Sequence, residues 1–323
     1  MSELASFEDL HPSVDDLAAD VLAGFSRPQK SIPPKYFYDA EGSRLFDAIT
    51  ELPEYYPTRT ETVLLRRYAE EIAQKAGTGH LLVEPGSGSC TKARLLFAGL
   101  KPCAYIPMDI SRDHLRMAAE EVAAEFPWLE VHAACTDFTR LMALPPDSPD
   151  GRRLAFFPGS SIGNFDPQAA VGFLRMIADL VRPGGQLLIG VDLKKDRAVL
   201  EAAYDDAQGV TAAFNLNLLA RINRELGADF DLAKWGHRAV YNEAEGRIEM
   251  HLVSLADQQV RLQGRSFHFA EGETIHTENS YKYTVAEFRD LAARAGFTAD
   301  SVWVDDDQLF SLHLLTTEAA DED

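Results

Sequence analysis

Leu81-Leu82-Val83-Glu84-Pro85-Gly86-Ser87-Gly88 decides the fold of this 323-residue chain. The apolar run is too short for a helix, it ends in a glycine turn, and residues 91–100 then take up helical spacing. The same unit recurs downstream. Residues 104–110 (AYIPMDI) precede a helical pattern near 112–125, and 153–158 (RLAFFP) precede one near 167–181, with 129–137 (LEVHAACTD) and 186–193 (QLLIGVDL) as further apolar runs. Five strands between 81 and 192, spaced by helices, mean a parallel sheet buried on both faces.

After Asp192 the alternation stops. Residues 196–228 read as helical, and 247–254 and 259–269 as strands whose separation suggests an antiparallel pair. A helix over 284–296 and strands over 301–306 and 310–317 resume the sheet. On the N-terminal side a helix is expected over 12–25, an extended proline-bearing stretch over 26–39, and a short helix over 42–50. A long helix is expected from Thr58, with Thr58-Arg59-Thr60-Glu61 as its capping box. The fold class is therefore α/β. Residues 58–192 and 284–323 form a doubly wound, Rossmann-like sheet, and 1–57 and 193–283 form a second α+β lobe.

Charge and cysteine use exclude several classes of function. With 31 basic and 51 acidic residues the net charge is −20, which argues against nucleic acid and against anionic membrane surfaces as partners. No run reaches the roughly 18 apolar residues of a membrane span. The acidic N-terminus does not read as a signal peptide. Cys90, Cys103 and Cys135 form no CxxC pair, so a reducing cytoplasm is the expected location. The histidines show no HExxH or HxH spacing, and no metal is expected. The acidic tail from Glu318 is expected to fray.

In a doubly wound sheet, ligands bind beyond the carboxyl ends of the strands. Gly86 and Gly88 stand there, but the third glycine of a dinucleotide fingerprint is replaced by Thr91, with Lys92 next. Glu84 at the mouth disfavours a pyrophosphate and suits a ligand with an amino group. Asp109 ends the second strand, where a carboxylate takes ribose hydroxyls. Asp137 and Phe138 follow the third strand and offer an acceptor for an adenine amine and an aromatic wall. Ribose, adenine and an amino-acid moiety without phosphate describe S-adenosylmethionine. Plainer readings stand beside these: Asp109 as a helix cap, Lys92 as a solvated helix residue, Asp137-Phe138 as cap and core.

Further stretches carry a resemblance. They are Lys35-Tyr36-Phe37-Tyr38-Asp39, Leu52-Pro53-Glu54-Tyr55-Tyr56-Pro57-Thr58-Arg59-Thr60-Glu61, Gly159-Ser160-Ser161-Ile162-Gly163-Asn164, Tyr204-Asp205-Asp206-Ala207, Gly209 through Asn215, Arg247-Ile248-Glu249-Met250, and Thr277-Glu278-x-Ser280-x-Lys282. With the glycine turn they resemble the S-adenosylmethionine-dependent L-histidine Nα-methyltransferases of ergothioneine biosynthesis, over residues 28 to 315. Pro85, Asn279 and Tyr281 depart from the family pattern and bear on pocket shape rather than on reaction class.

The resemblance implies a class I methyltransferase sheet with a substrate lobe. Gly86, Lys92, Asp109, Asp137 and Phe138 would contact the cofactor, which leaves as S-adenosylhomocysteine. Tyr55, Asn164, Tyr204, Glu278 and Ser280, with Asn279 between the last two, would contact L-histidine and its mono- and dimethyl forms. Tyr38, Phe46, Gly159, Phe214 and Met250 would line the pocket. Glu278 would face the imidazole, and Ser280 would share its face if the stretch is extended. Asn164 would hold the α-amine, and Tyr204 would donate to the substrate carboxylate. Trimethylation to hercynine would proceed by in-line displacement, with water or Tyr38 taking the proton. Packing, an Asx turn at Asn164 and an edge-strand salt bridge at Glu278 are the plainer accounts. A methyltransferase of the same fold acting on another amine, such as a tryptophan derivative, is the alternative. A non-catalytic ligand-binding scaffold is the third reading. A monomer is the working expectation.

Overall fold

The computed structural model describes residues 4–10, 14–140 and 142–318. The start of the expected 12–25 helix and the acidic tail beyond Glu318 lie outside the described residues. The chain divides into two units. One holds β1 (Ser6–Leu10), Pro57–Lys194 and the chain from Tyr281 on; the other runs from α1 (Val14–Phe25) to Tyr56 and from Lys195 to Ser280. Among the described residues no helix is long and apolar enough to cross a membrane.

The first unit is built on the five expected strands: β3 (Leu81–Pro85), β4 (Ala104–Asp109), β5 (Glu130–Thr136), β6 (Arg153–Phe157) and β7 (Gln186–Asp192). Helices α4 (Thr91–Leu100), α5 (Arg112–Glu125) and α6 (Pro167–Val181) connect them. With β13 (Phe297–Val304) and β14 (Phe310–Thr317) they form one eight-stranded sheet of order β1-β5-β4-β3-β6-β7-β14-β13. The pairings from β1 to β7 are parallel, and β14 runs antiparallel to both its neighbours. Every residue of β3 and β7 is buried, as a sheet covered on both faces requires. The strand order reverses between β3 and β6, and this switch point is where a doubly wound sheet binds ligands.

Two N-terminal expectations change. Ser6–Leu10, expected in the second lobe, pairs instead with β5, Ser6 opposite His132. The capping box at Thr58 does not form, because α3 (Tyr56–Ala76) begins earlier. Pro57 sits in its first turn, where a missing N–H costs nothing. Glu61 is thereby freed for another use.

The second unit has a four-stranded sheet of order β2-β12-β9-β8, made from β2 (Lys30–Ser31), β12 (Thr274–Tyr281), β9 (Arg247–Ser254) and β8 (Trp235–Asn242). The expected pairing of 247–254 with 259–269 does not occur. β9 pairs with β8, Met250 opposite Ala239, and 259–269 folds on itself as the hairpin β10 (Gln258–Leu262) and β11 (Arg265–Phe269). Its turn residues Gln263 and Gly264 both have positive φ, 49° and 73°, the signature of a tight hairpin turn. The helical stretch expected over 196–228 is two helices, α7 (Arg197–Tyr204) and α8 (Val210–Leu226). Asp206 breaks it, taking the first N–H groups of α8, Val210 and Thr211, at 3.0 and 2.7 Å. α2 (Ala40–Thr50) and α9 (Val285–Ala293) stand where the periodicity puts them, and Thr284 with Glu287 closes a capping box on α9.

Candidate functional site

At the switch point the turn after β3 is held by β4, since the N–H groups of Gly86 and Ser87 both donate to Met108 O, at 2.7 and 3.0 Å. Gly86 (φ 70°) and Gly88 (φ 51°) take the left-handed conformation that glycine adopts without strain. A Cβ on Gly86 would press on the Phe138 ring at 3.3 Å, and a Cβ on Gly88 would meet nothing within 4 Å. The backbone is thus packed on one side and open on the other. Asp109 braces this turn: its Oδ2 accepts from Gly88 N at 3.0 Å and its Oδ1 from Ser111 N at 2.8 Å. Burial pushes its carboxyl above the usual range despite those bonds. With Ile110 as a further backbone donor, the carboxylate still has acceptor capacity beyond its three backbone bonds.

Glu84, buried at the end of β3, meets the Tyr105 hydroxyl. Burial raises its pKa to about 8, so the carboxyl holds its proton at neutral pH rather than offering the negative charge expected at the mouth. Asp137 is buried and spends Oδ1 on the N–H (3.1 Å) and hydroxyl (2.5 Å) of Thr139. Phe138 packs edge-on to Phe157 and Phe173 with centroids 6.1 and 6.0 Å away. Lys92, on the first turn of α4, bonds Glu61 Oε2 at 2.5 Å. The same carboxylate takes the N–H of Gly159 at 3.0 and 2.9 Å. Gly159 (φ 81°) opens the turn after β6, and Asn164, half-buried, ends the 3-10 turn Ser161–Asn164 that follows. Seven expected site residues therefore lie in the first unit: Gly86, Lys92, Asp109, Asp137, Phe138, Gly159 and Asn164.

The second unit gathers the aromatic residues. Tyr38 meets Phe46 (5.7 Å) and Phe214 (5.9 Å), Phe46 meets Tyr55 (6.3 Å), and Tyr55 meets Tyr204 (6.1 Å). Edge-on contacts predominate, as ring quadrupoles favour. Tyr204 closes the chain by bonding its hydroxyl to Ser280 Oγ at 2.8 Å. Asp39 explains why the aromatic motif continues with an acid. It caps α2 through Gly42 N (2.7 Å) and ties α8 to it through Asn217 (2.8 Å) and Arg224 (2.5 Å). Burial would raise its carboxyl, but these donors prevail and hold it below the usual range.

β12 is extended and lies between β2 and β9, but its pairing with β2 covers only Ile275 and His276 and ends before Glu278, so it is burial that takes Glu278 off the surface. Glu278 and Ser280 are both buried and share a face, while Asn279 alternates to the other. Asn279 Oδ1 bonds His276 Nε2 at 2.9 Å, so the fold does not bring it together with its two neighbours. Met250 is buried on β9, its carbonyl accepting from Thr277 Oγ1 at 3.1 Å.

Sequence reasoning missed the residues that act through others. Glu61 was assigned to a cap, and the signal against that is Pro57, which marks an earlier helix start. Asp39, Asp206 and Asn215 stand within the motifs without an assigned use. His237 had no signal at all. Its Nε2 bonds the Tyr204 carbonyl at 2.8 Å, and its Nδ1 meets Asn215 Nδ2 at 2.9 Å. With Asn215 Nδ2 as donor, Nε2 carries the ring proton.

A family model described as histidine-specific, S-adenosylmethionine-dependent methyltransferase matches residues 17–317. The histidine N-alpha-methyltransferase of Mycolicibacterium smegmatis is 44% identical over 317 residues, 96% of this chain and 98% of that protein. That of Mycobacterium tuberculosis is 43% identical, covering 92% and 94%. Ergothioneine biosynthesis protein 1 of Schizosaccharomyces pombe is 28% identical over 89% of this chain and 39% of its own length.

Proposed function

The chain belongs to the S-adenosylmethionine-dependent, histidine-specific methyltransferases, and from that membership we infer that it trimethylates the α-amine of L-histidine to hercynine, towards ergothioneine. The observation that carries the substrate side is the Tyr204–Ser280 hydroxyl pair at the end of an aromatic chain. That pair offers polar groups for an amino acid beside rings that accept a methylated ammonium.

The residues at the switch point fit the methyl donor. Gly88 leaves the space a Cβ would fill, Asp109 keeps acceptors for ribose hydroxyls, and Asp137 and Phe138 present an acceptor and a ring face to adenine. When bound, S-adenosylmethionine supplies an electrophilic methyl on a sulfonium. Asn164 takes the α-amine through its amide oxygen and orients its lone pair. Tyr204 and Ser280 hold the α-carboxylate. Glu278 reads the imidazole N–H, and Tyr55, Phe46, Phe214 and Met250 exclude water. The proton leaves through Tyr38 or water. Positioning carries most of the acceleration, and the mono- and dimethyl forms of histidine return to the same carboxylate and imidazole contacts, although the neutral dimethylamine has no N–H left to donate to Asn164. Cys90, Cys103 and Cys135 are all free thiols, which suits a reducing cytoplasm.

The test is to incubate the protein with S-adenosylmethionine and each amino acid and follow product masses. Trimethylated histidine is expected. Methylation of a tryptophan derivative with histidine untouched would favour the second reading. Cofactor binding with no methylated product would favour the non-catalytic scaffold.

A further inference from the structure

Glu61 is wholly buried on α3. A buried carboxylate persists only where donors compensate for lost water, and its donors come from two other elements. Lys92 Nζ reaches it from α4 at 2.5 Å, and Gly159 N–H from the turn after β6 at 3.0 and 2.9 Å. β7 leaves room for it: a Cβ on Gly190 would stand 2.0 Å from Glu61 Oε1. The same construction puts Lys92 Nζ 3.6 Å from a Cβ built on Gly159.

This arrangement has consequences for Lys92. An ammonium on a four-carbon stem samples many rotamers; pinned to a buried anion it keeps one. It has three donors and the Glu61 bond needs one, and the side chain stays 18% exposed, so the head can also meet a ligand. The turns after β3 and β6 flank the switch point, and Glu61 ties the first turn of α4, which follows the β3 turn, to the turn after β6.

We propose that Glu61 is a positioning residue of the methyl-donor site. It orients Lys92 towards the carboxylate of the donor's amino-acid moiety and locks the Gly159 turn to the same anchor. The proposal rests on the reading of this protein as an S-adenosylmethionine-dependent enzyme.

Calorimetric titration with S-adenosylhomocysteine tests it, on wild type, Glu61→Gln, Lys92→Met and the double variant, alongside KM for histidine. Glu61→Gln weakens S-adenosylhomocysteine by about tenfold, the scale of a charge-assisted hydrogen bond, and changes KM for histidine by less, because the glutamine oxygen can still accept from Gly159 N–H. The double variant binds no more weakly than Lys92→Met, because the two side chains act as one unit. Binding by Glu61→Gln equal to wild type overturns the proposal, as does a double loss equal to the product of the single losses. If Glu61→Gln does not fold, the comparison is between Lys92→Met and the double variant, which has no uncompensated buried charge. Equal affinities support the proposal and a further large loss overturns it. Wild-type protein that binds no S-adenosylhomocysteine overturns the functional reading itself, and this proposal with it.

Discussion

The hydroxyls of Tyr204 and Ser280 meet at 2.8 Å, joining the end of α7 to β12. Two hydroxyls carry two protons and their mutual bond uses one, so the second donates outside the pair. Tyr204 is also held by its backbone, through His237 Nε2 at 2.8 Å. A side chain fixed at both ends suits orienting a small carboxylate.

Tyr204→Phe keeps the ring and its packing on Tyr55 but removes the bond. Histidine affinity is expected to fall about tenfold, the worth of roughly one hydrogen bond, with S-adenosylhomocysteine affinity unchanged. Parallel titrations with the two ligands check this, and equal losses for both would refute it.

Glu278→Ala removes the proposed reader of the imidazole. Histidine binding should weaken by ~2 kcal/mol or more, as for a lost charged hydrogen bond. Preference for histidine over an apolar amino acid of similar size should shrink with it. Competition assays measure both, and an unchanged preference would assign the imidazole to another residue.

Gly42→Ala tests how the aromatic chain is supported. A Cβ there would lie 1.7 Å from Phe37 O, so α2 must shift away from the Tyr38 loop. The expected cost is about 1–3 kcal/mol, typical of overpacking, seen as a lower melting temperature together with a raised KM for histidine.

Glu84 makes stability depend on pH. Burial raises its pKa from 4.5 to about 8, so across that window the unfolded chain releases a proton that the folded chain retains. The unfolded state then binds fewer protons, and stability falls as pH rises from about 4.5 to about 8. Glu84→Gln mimics the protonated acid, so the variant's stability relative to wild type should grow over this range. Denaturant melts at several pH values check the slope, and parallel curves would show that Glu84 is ionised in the folded protein.

The parallel sheet was legible because its signal is local. Strands such as Leu81–Pro85 bury both faces and read as short apolar runs, and each helix between them repeats its own spacing. The cofactor turn was legible for the same reason, since Gly86, Gly88 and Asp109 sit at strand ends that the alternation itself locates. The second unit was harder. Strand β12 mixes Thr, His, Glu, Asn and Ser with little alternation, so only the resemblance marked Glu278 and Ser280. The partner of β9 could not be told from sequence, because strand pairing depends on which edges meet.

From residue order alone came the doubly wound class, the ligand-binding strand ends and, through the motifs, the family. Periodicity and turn chemistry act over a few neighbouring residues, and a linear text records them. Only the folded chain decided that Glu61 serves Lys92 and Gly159 rather than a helix cap, that Glu84 keeps its proton, and that Asn279 turns away from Glu278 and Ser280. Each of those depends on burial and on donors brought from distant segments, which residue order does not contain.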